Sequence, residues 1–326
     1  MTCEFHVETD PAPAVHRALA DLAPANPFLT EAFAAAQKAG GAQCIAFTAE
    51  ENGKIRHGSA GFAKAGRLKR TLTIPSMPNL PADDPFWAGL VDFCRRSGVT
   101  DLTVNSFAST APAAPTLDSG LAEEIWRRPR REYPIDLGRD DLWTGLSKNH
   151  KRNIKRGQKN GLAMRRSADP AHCRDHVALI GASMSRRESR GEDIHQSAEA
   201  RRYARLIESG AGELFQMTGD GQVLSSVLIL KARAGGYYDS AGTTPEGMSA
   251  GASHFLIHEI AEALRGDGCT TFNLGGADLE QTGLARFKAG FGSTEIPLQA
   301  ARFSLATGLK KLLIKGAGAI GAARRG

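Results

Sequence analysis

Two separated stretches of this sequence follow one pattern, and that recurrence constrains the fold more than any single motif. Laying Gly98 on Gly268 brings Phe86, Trp87, Leu90, Val91 and Cys94 onto Leu256, Ile257, Ile260, Ala261 and Leu264. Leu102 and Val104 then fall on Phe272 and Leu274. Each stretch is an apolar helical stripe at i, i+1, i+4, i+5 and i+8, a glycine stop and an alternating strand. Units of this kind are common singly. Here hairpins precede both, which favours a duplicated architecture.

In the first half, 27–39 reads as a helix closed by Gly40 and Gly41. Segments 43–48 and 54–62 form a hairpin across Glu51-Asn52-Gly53, because Asn-Gly accepts the positive φ of a tight turn. Asp84 caps a second helix with Pro85 at its first position, and Gly98 stops it. Later, 214–216, 223–230 and 237–240 read as strands, 252–264 as a helix and 270–274 as a strand. The expected class is therefore α/β, with one unit over 1–140 and a second over 141–326. Residues 112–134, with prolines at 112, 115, 129 and 134 and arginines at 127, 128, 130 and 131, lie between the halves.

A chain of 326 residues with 41% hydrophobic and 23% charged residues is long and apolar enough for two packed domains. Its net charge of +6 suits contact with RNA, a phosphorylated substrate or an anionic membrane, although many enzymes share it. The five cysteines are scattered and never spaced C-x-x-C, so neither a disulfide framework nor a zinc knuckle is implied. No secretory leader pattern and no apolar run of about 20 residues is visible, and the expected compartment is the cytoplasm.

Two segments carry chemistry. From 142 to 162, Lys148, Lys151, Arg152, Lys155, Arg156 and Lys159 recur at three- and four-residue steps on one side of a helix. No Asp or Glu lies between Ser147 and Arg166, which favours an anion opposite over a merely solvated face. From 272 to 292, a strand ends in Gly275 and Gly276, where backbone can approach a ligand. A helical segment then offers Arg286 and Lys288 beside Phe287 and Phe291. A cation beside a strand end and two rings fits acyl transfer, with the cation on an oxyanion. Simple packing of the two rings, with Lys288 a solvated neighbour, is the alternative.

The run Tyr133-Pro134-Ile135-Asp136-Leu137, Leu142-Trp143, Leu146-Ser147-Lys148, Arg152-Asn153-Ile154-Lys155-Arg156 and Gly161-Leu162 resembles the entry to the second domain of Fem-type aminoacyltransferases. Asn273-Leu274-Gly275-Gly276 and Arg286-Phe287-Lys288-Ala289-Gly290-Phe291 resemble the C-terminal core of that family. The likeness covers most of 130–305 by motif and 25–110 by pattern. It implies tandem GNAT-like domains, each a mixed sheet flanked by helices, and an N-acyltransferase. The implied donor is aminoacyl-tRNA. The implied acceptor is an amine on a peptidoglycan precursor, a phosphorylated compound or another small molecule. No cofactor is implied, since the donor is a co-substrate.

The resemblance places Phe287 and Lys288 at the catalytic centre. On charge, spacing and backbone approach, Lys148, Lys151, Arg152, Lys155, Arg156, Gly275, Gly276 and Arg286 are candidate substrate or tRNA contacts. The long helical hairpin that some Fem proteins insert has no counterpart. Asp239, Asp278 and Glu280 are candidate bases, beside substrate-assisted proton loss.

Acyl-CoA is the alternative donor, but Met248 to Ser253 keeps only Gly251 of the Q/R-x-x-G-x-G/A phosphate loop. A non-catalytic RNA- or phosphate-binding protein on the same fold is the alternative from another class. The G-x-G-x-x-G match at 316–321 lacks a βαβ unit. His172 with His176, and His254 with His258, lack a third ligand. The basic tail at 309–318 is a candidate peripheral membrane contact.

Overall fold

A computed structural model describes residues 4–81, 84–107, 122–189, 200–277, 280–306 and 311. The match at 316–321, Asp278 and all of the 309–318 tail except Lys311 lie outside them. The chain opens with β1 (Glu4–Thr9), α1 (Pro13–Leu22), α2 (Glu31–Ala39), β2 (Gln43–Glu51), β3 (Lys54–Ala65) and β4 (Arg70–Met77). Next come α3 (Pro85–Arg96), β5 (Asp101–Ser106), β6 (Glu123–Asp136), α4 (Lys148–Lys159), β7 (Ala163–Ser167), α5 (Cys173–Glu188) and α6 (Ala200–Glu208). Finally there are β8 (Gly212–Gly219), β9 (Gln222–Ala232), β10 (Gly235–Thr243), α7 (Pro245–Ala250), α8 (Ala252–Gly266), β11 (Thr271–Ala277), α9 (Thr282–Ala289) and β12 (Ile296–Ser304). None of the described helices is long and apolar enough to cross a membrane.

The duplication is real at the level of hydrogen bonds. Helix α3 ends with Val99 N–H donating to Cys94 O at 2.9 Å, and α8 ends with Cys269 N–H donating to Leu264 O at 2.9 Å. Gly98 and Gly268 take φ of 67° and 84°, a region that favours glycine. Thr100 N–H then donates to Arg70 O, and Thr270 N–H to Ala234 O. Strands β4 and β5 run parallel, as do β10 and β11, each beside an antiparallel β2–β3–β4 or β8–β9–β10 meander. All ten aligned helix positions are buried. The hairpin turn is also as read, with Asn52 and Gly53 both at positive φ.

The strands form one mixed sheet in the order β1-β2-β3-β4-β5-β12-β6-β11-β10-β9-β8-β7. By position in the repeat, β6 completes the first unit and β12 the second, yet each pairs with the other unit. Strand β12 runs antiparallel to β5, β6 runs antiparallel to β11, and the two exchanged strands pair together in the middle. No break in the sheet marks the expected boundary near Asp140.

The segment read as lying between the halves is corrected in part. From Glu123 onward it is a 14-residue central strand, although Pro129 and Pro134 argue against a strand interior. Its partners come from far along the chain, so nothing local announces it. Its arginines are used up there. Arg131 pairs with Glu295 at 3.1 Å, Arg130 with Glu132 at 3.2 Å, Arg127 with Glu124 at 2.6 Å, and Arg128 lies over Trp126.

Helices cover the sheet on both faces. Helix α3 packs over β1–β5 with Ala301 and Phe303 of β12 in the same core. Helices α4 and α8 cover Phe215, Val227, Phe272, Tyr133 and Ile135. A third core, from Leu19 and Phe33 through Leu206 to Leu228, joins the two halves.

Candidate active site

The parallel strands β10 and β11 hold together at Gly235–Thr271, Gly236–Phe272 and Tyr237–Asn273, and then part. Beyond that point β10 shifts register at Tyr238, and β11 shifts between Asn273 and Gly276. Gly275 and Gly276 therefore lie within β11, along the opening, rather than after the strand. Gly275 has φ of 70°, and a Cβ there would come within 2.9 Å of Tyr238 O. Only glycine lets the two backbones approach so closely. Its N–H donates to Asn273 Oδ1 at 2.8 Å.

Helix α9 delivers Lys288 to this opening. The side chain is 4% exposed. Its Nζ donates to Gly276 O at 2.5 Å and lies 5.6 Å from the centre of the Tyr238 ring. A buried ammonium requires such partners. Lys288 is thus a built part of the opening and not a solvated neighbour. Arg286, on the same helix, is exposed.

Phe287 is half-buried in an aromatic cluster with His150, His254 and Phe291. Ring centres lie 5.6 Å apart for Phe287 and His150, 5.0 Å for Phe287 and His254, and 5.2 Å for Phe287 and Phe291. The His150 ring also bonds Phe287 O at 2.8 Å and Ser147 Oγ at 2.8 Å. Ser147 caps α4, and its N–H donates to Gly290 O. The basic helix is in this way clasped to the helix that carries Lys288.

On α4, Lys148, Arg152, Lys155, Arg156 and Lys159 are exposed, while Lys151 is half-buried with Nζ 3.4 Å from Thr144 O. Arg152 bonds Asn149, Lys155 lies over Trp143, and Arg156 reaches Ser249 O. Among the described residues no carboxylate forms an ion pair with any of the six. The inward positions His150, Ile154 and Gly157 are buried.

The 248–253 segment is explained by packing. Met248 to Ala250 belong to α7, Gly251 has φ of 82°, and α8 starts at Ala252. A Cβ on Gly251 would lie 2.3 Å from Asn153 O of α4. The glycine that fits a phosphate loop is thus required by helix contact.

Of the candidate bases, Asp239 is held in a two-pronged pair by Arg202, at 2.6 and 2.8 Å, on the far side of β10 from Lys288. That disfavours proton abstraction. Glu280 is exposed. The histidines at helical spacing have separate partners: His172 bonds Ser167, His254 packs on His150, and His258 packs on Trp143.

His176 is fully buried between Ser226 Oγ and Ser240 Oγ, at 2.9 and 3.0 Å. Burial lowers its pKa from 6.5 to about 4. Below pH 6.5 the unfolded chain takes up a proton that the folded chain refuses until about pH 4. Stability is therefore present above that window and falls through it as the pH drops. Denaturant melts from pH 7 to 4 are expected to show a loss on the order of 3 kcal/mol from this residue. His176→Gln should flatten that slope; an unchanged slope in a folded variant would remove the assignment.

Residues 146–289 match the family model described as a GNAT acetyltransferase domain. This part of the chain is a GNAT acyltransferase domain. It runs from just before α4 to the end of α9, and so contains the opening and Lys288 but neither exchanged strand. Among solved structures, FemX superimposes with a TM-score of 0.70 at 14% identity, over 90% of this chain and 96% of that one. The C-terminal domain of a putative lysylphosphatidylglycerol synthetase from Agrobacterium fabrum gives 0.54 at 15%, over 89% and 91%. A tandem GNAT protein from the clavulanic acid biosynthesis pathway gives 0.53 at 12%, over 94% and 100%. These likenesses are likenesses of fold. No curated protein matches the chain. The chain has the GNAT fold in the tandem architecture that the resemblance implied, with the acetyltransferase match confined to 146–289.

Proposed function

We propose that this GNAT acyltransferase moves an aminoacyl group from aminoacyl-tRNA to a primary amine, on a peptidoglycan precursor or another small molecule. The observation that carries the reading is the buried Lys288 ammonium at the opening between β10 and β11, clasped through α9 and His150 to a basic helix whose cations form no ion pair among the described residues. The amine lone pair attacks the ester carbonyl carbon, and Lys288 donates a hydrogen bond to the oxygen that becomes negative. The carbon–oxygen bond to the ribose then breaks, and the amine's proton ends on the departing 3′-oxygen. No enzyme nucleophile is needed, since the ester is already activated and both substrates are held together. The reading places the reaction in the cytoplasm, where charged tRNA is made.

The α4 face supplies the direct test. Exposed cations that meet phosphates release counterions, so affinity falls with salt. Reversing Lys151, Arg152 and Lys155 to Glu is expected to weaken alanyl-tRNA binding more than tenfold. The slope of log affinity against log salt should flatten by about 2, at roughly 0.7 per cation. Filter binding over a salt series, with melting curves for each variant, reads both. Equal affinity and slope in the folded triple variant would reduce α4 to a solvated surface. The acyl-CoA reading replaces this one if acetyl-CoA raises the melting temperature and is consumed. A ligand at about a hundred times its Kd stabilises by roughly 2.7 kcal/mol, which a melt detects.

A further inference from the structure

Helix α9 has only eight residues. A helix that short holds no fixed place by itself, so its outside contacts set where Lys288 stands. At its end the Phe291 N–H turns to Lys288 O at 3.2 Å, and among the described residues no backbone N–H reaches Phe287 O. A last-turn carbonyl left in this way needs another donor. The buried His150 ring, reaching in from α4, meets it at 2.8 Å. Phe287 O belongs to the peptide that enters Lys288, so this one bond fixes the plane from which the lysine departs.

The ring's partners decide which nitrogen carries the proton. A carbonyl oxygen only accepts, so Nε2 donates to Phe287 O, and Nδ1 accepts from the Ser147 hydroxyl at 2.8 Å. That hydroxyl in turn accepts from the His150 N–H at 3.3 Å. Burial lowers the His150 pKa below its usual 6.5, which keeps the imidazole neutral. Three rings hold it in place: Phe291 at 4.4 Å and His254 at 4.7 Å, both edge-on, and Phe287 at 5.6 Å. Gly290 completes the fit. Its φ of −65° suits any residue, yet a Cβ there would lie 2.1 Å from His150 Cε1. The glycine makes room for the ring. The other inward positions of α4, Ile154 and Gly157, carry no polar side chain, so packing alone does not call for an imidazole.

We propose that His150 is a positioning residue for Lys288, holding the ammonium at Gly276 O through the Nε2–H bond to the Phe287 carbonyl. The ring is anchored on α4 by Ser147, whose N–H also donates to Gly290 O at 2.9 Å. The basic helix and the lysine therefore keep one fixed spacing. An oxyanion donor works only when it is placed before the charge develops. The role deepens the transfer reading above and rests on it, since the lysine it places is that reading's oxyanion donor.

Acetylation of the lysines by acetic anhydride near neutral pH, mapped by mass spectrometry, tests the assignment without any turnover. His150→Phe keeps the ring packing and removes the donor. Lys288 should then be labelled on the order of tenfold faster than in the wild type, the factor that one lost bond gives a local opening. The exposed Lys148 and Lys155 should label as before. His150→Gln, whose amide can donate to the same carbonyl, should restore most of the protection. Folded Phe and Gln variants that label Lys288 alike, whether fast or slow, overturn the proposal, because packing and not the bond would then hold the lysine. If the variants do not fold, long-range proton–nitrogen NMR of the histidine-labelled wild type decides. His150 should be neutral with its proton on Nε2, and any other protonation state overturns the assignment. Failure of the transfer reading looks different: Lys288→Met would turn over normally while Lys288 in the His150 variants still labelled as stated.

Discussion

Lys288→Ala is expected to slow turnover by about a hundred- to a thousand-fold, the loss of one preorganised oxyanion donor worth roughly 2.7–4 kcal/mol. The structure sharpens how this must be measured. Lys288 is buried, with its ammonium on Gly276 O and over Tyr238, so truncation also leaves a void and deprives that carbonyl of a donor. Lys288→Met is the cleaner variant, since it keeps most of the stem's volume while removing the ammonium, its charge and its N–H donors. Both should be equally slow in single-turnover assays, and the methionine variant should melt closer to wild type. Wild-type turnover in folded Lys288→Met would make the lysine a packing residue and leave the catalytic assignment without its principal group. Phe287→Ala should lower stability and turnover together, because its ring packs on His150, His254 and Phe291.

The second large effect is expected at Gly251. An alanine there takes up a left-handed conformation that disfavours side chains by roughly 1–2 kcal/mol. Its methyl group also meets Asn153 O at 2.3 Å, and backbone of a packed helix yields poorly. Overpacking of this kind costs about 1–3 kcal/mol more. Gly251→Ala should therefore lose roughly 2–5 kcal/mol in denaturant melts and push α4 off α8. Alanyl-tRNA affinity should fall with it if the basic face is read by phosphates. A variant as stable as wild type would show that α4 does not press on this turn.

The repeated helix, glycine stop and strand were legible because each is a local pattern. Apolar stripes reveal α3 and α8, and the positive φ at Gly98 and Gly268 needs glycine whatever surrounds it. The basic face of α4 was legible for the same reason. Strands β6 and β12 were not, since their partners lie far off and arginines and prolines obscure the alternation of β6. The site divided along the same line. Lys288 and Gly275 announced themselves within one short segment. The burial of Glu132 carried no local signal, because Asn273, Tyr237 and Gly276 are brought to it by the sheet alone. Composition likewise could not show that Lys288 is buried or that Arg202 occupies Asp239.

The exchange of β6 and β12 has a consequence for the order in which the molecule is made. When β5 and β6 have left the ribosome, neither of the strands that will separate and flank them exists, and both present open edges. Ser106 waits for Gln299, a partner 193 residues further on, before its hydroxyl can donate to the carbonyl it meets in the finished sheet. Pairing over such separations is slow, because chain closure must precede any reward from contact. The first half thus passes synthesis as an incomplete surface, and the halves mature by mutual completion, with the strand made last filling the place between β5 and β6.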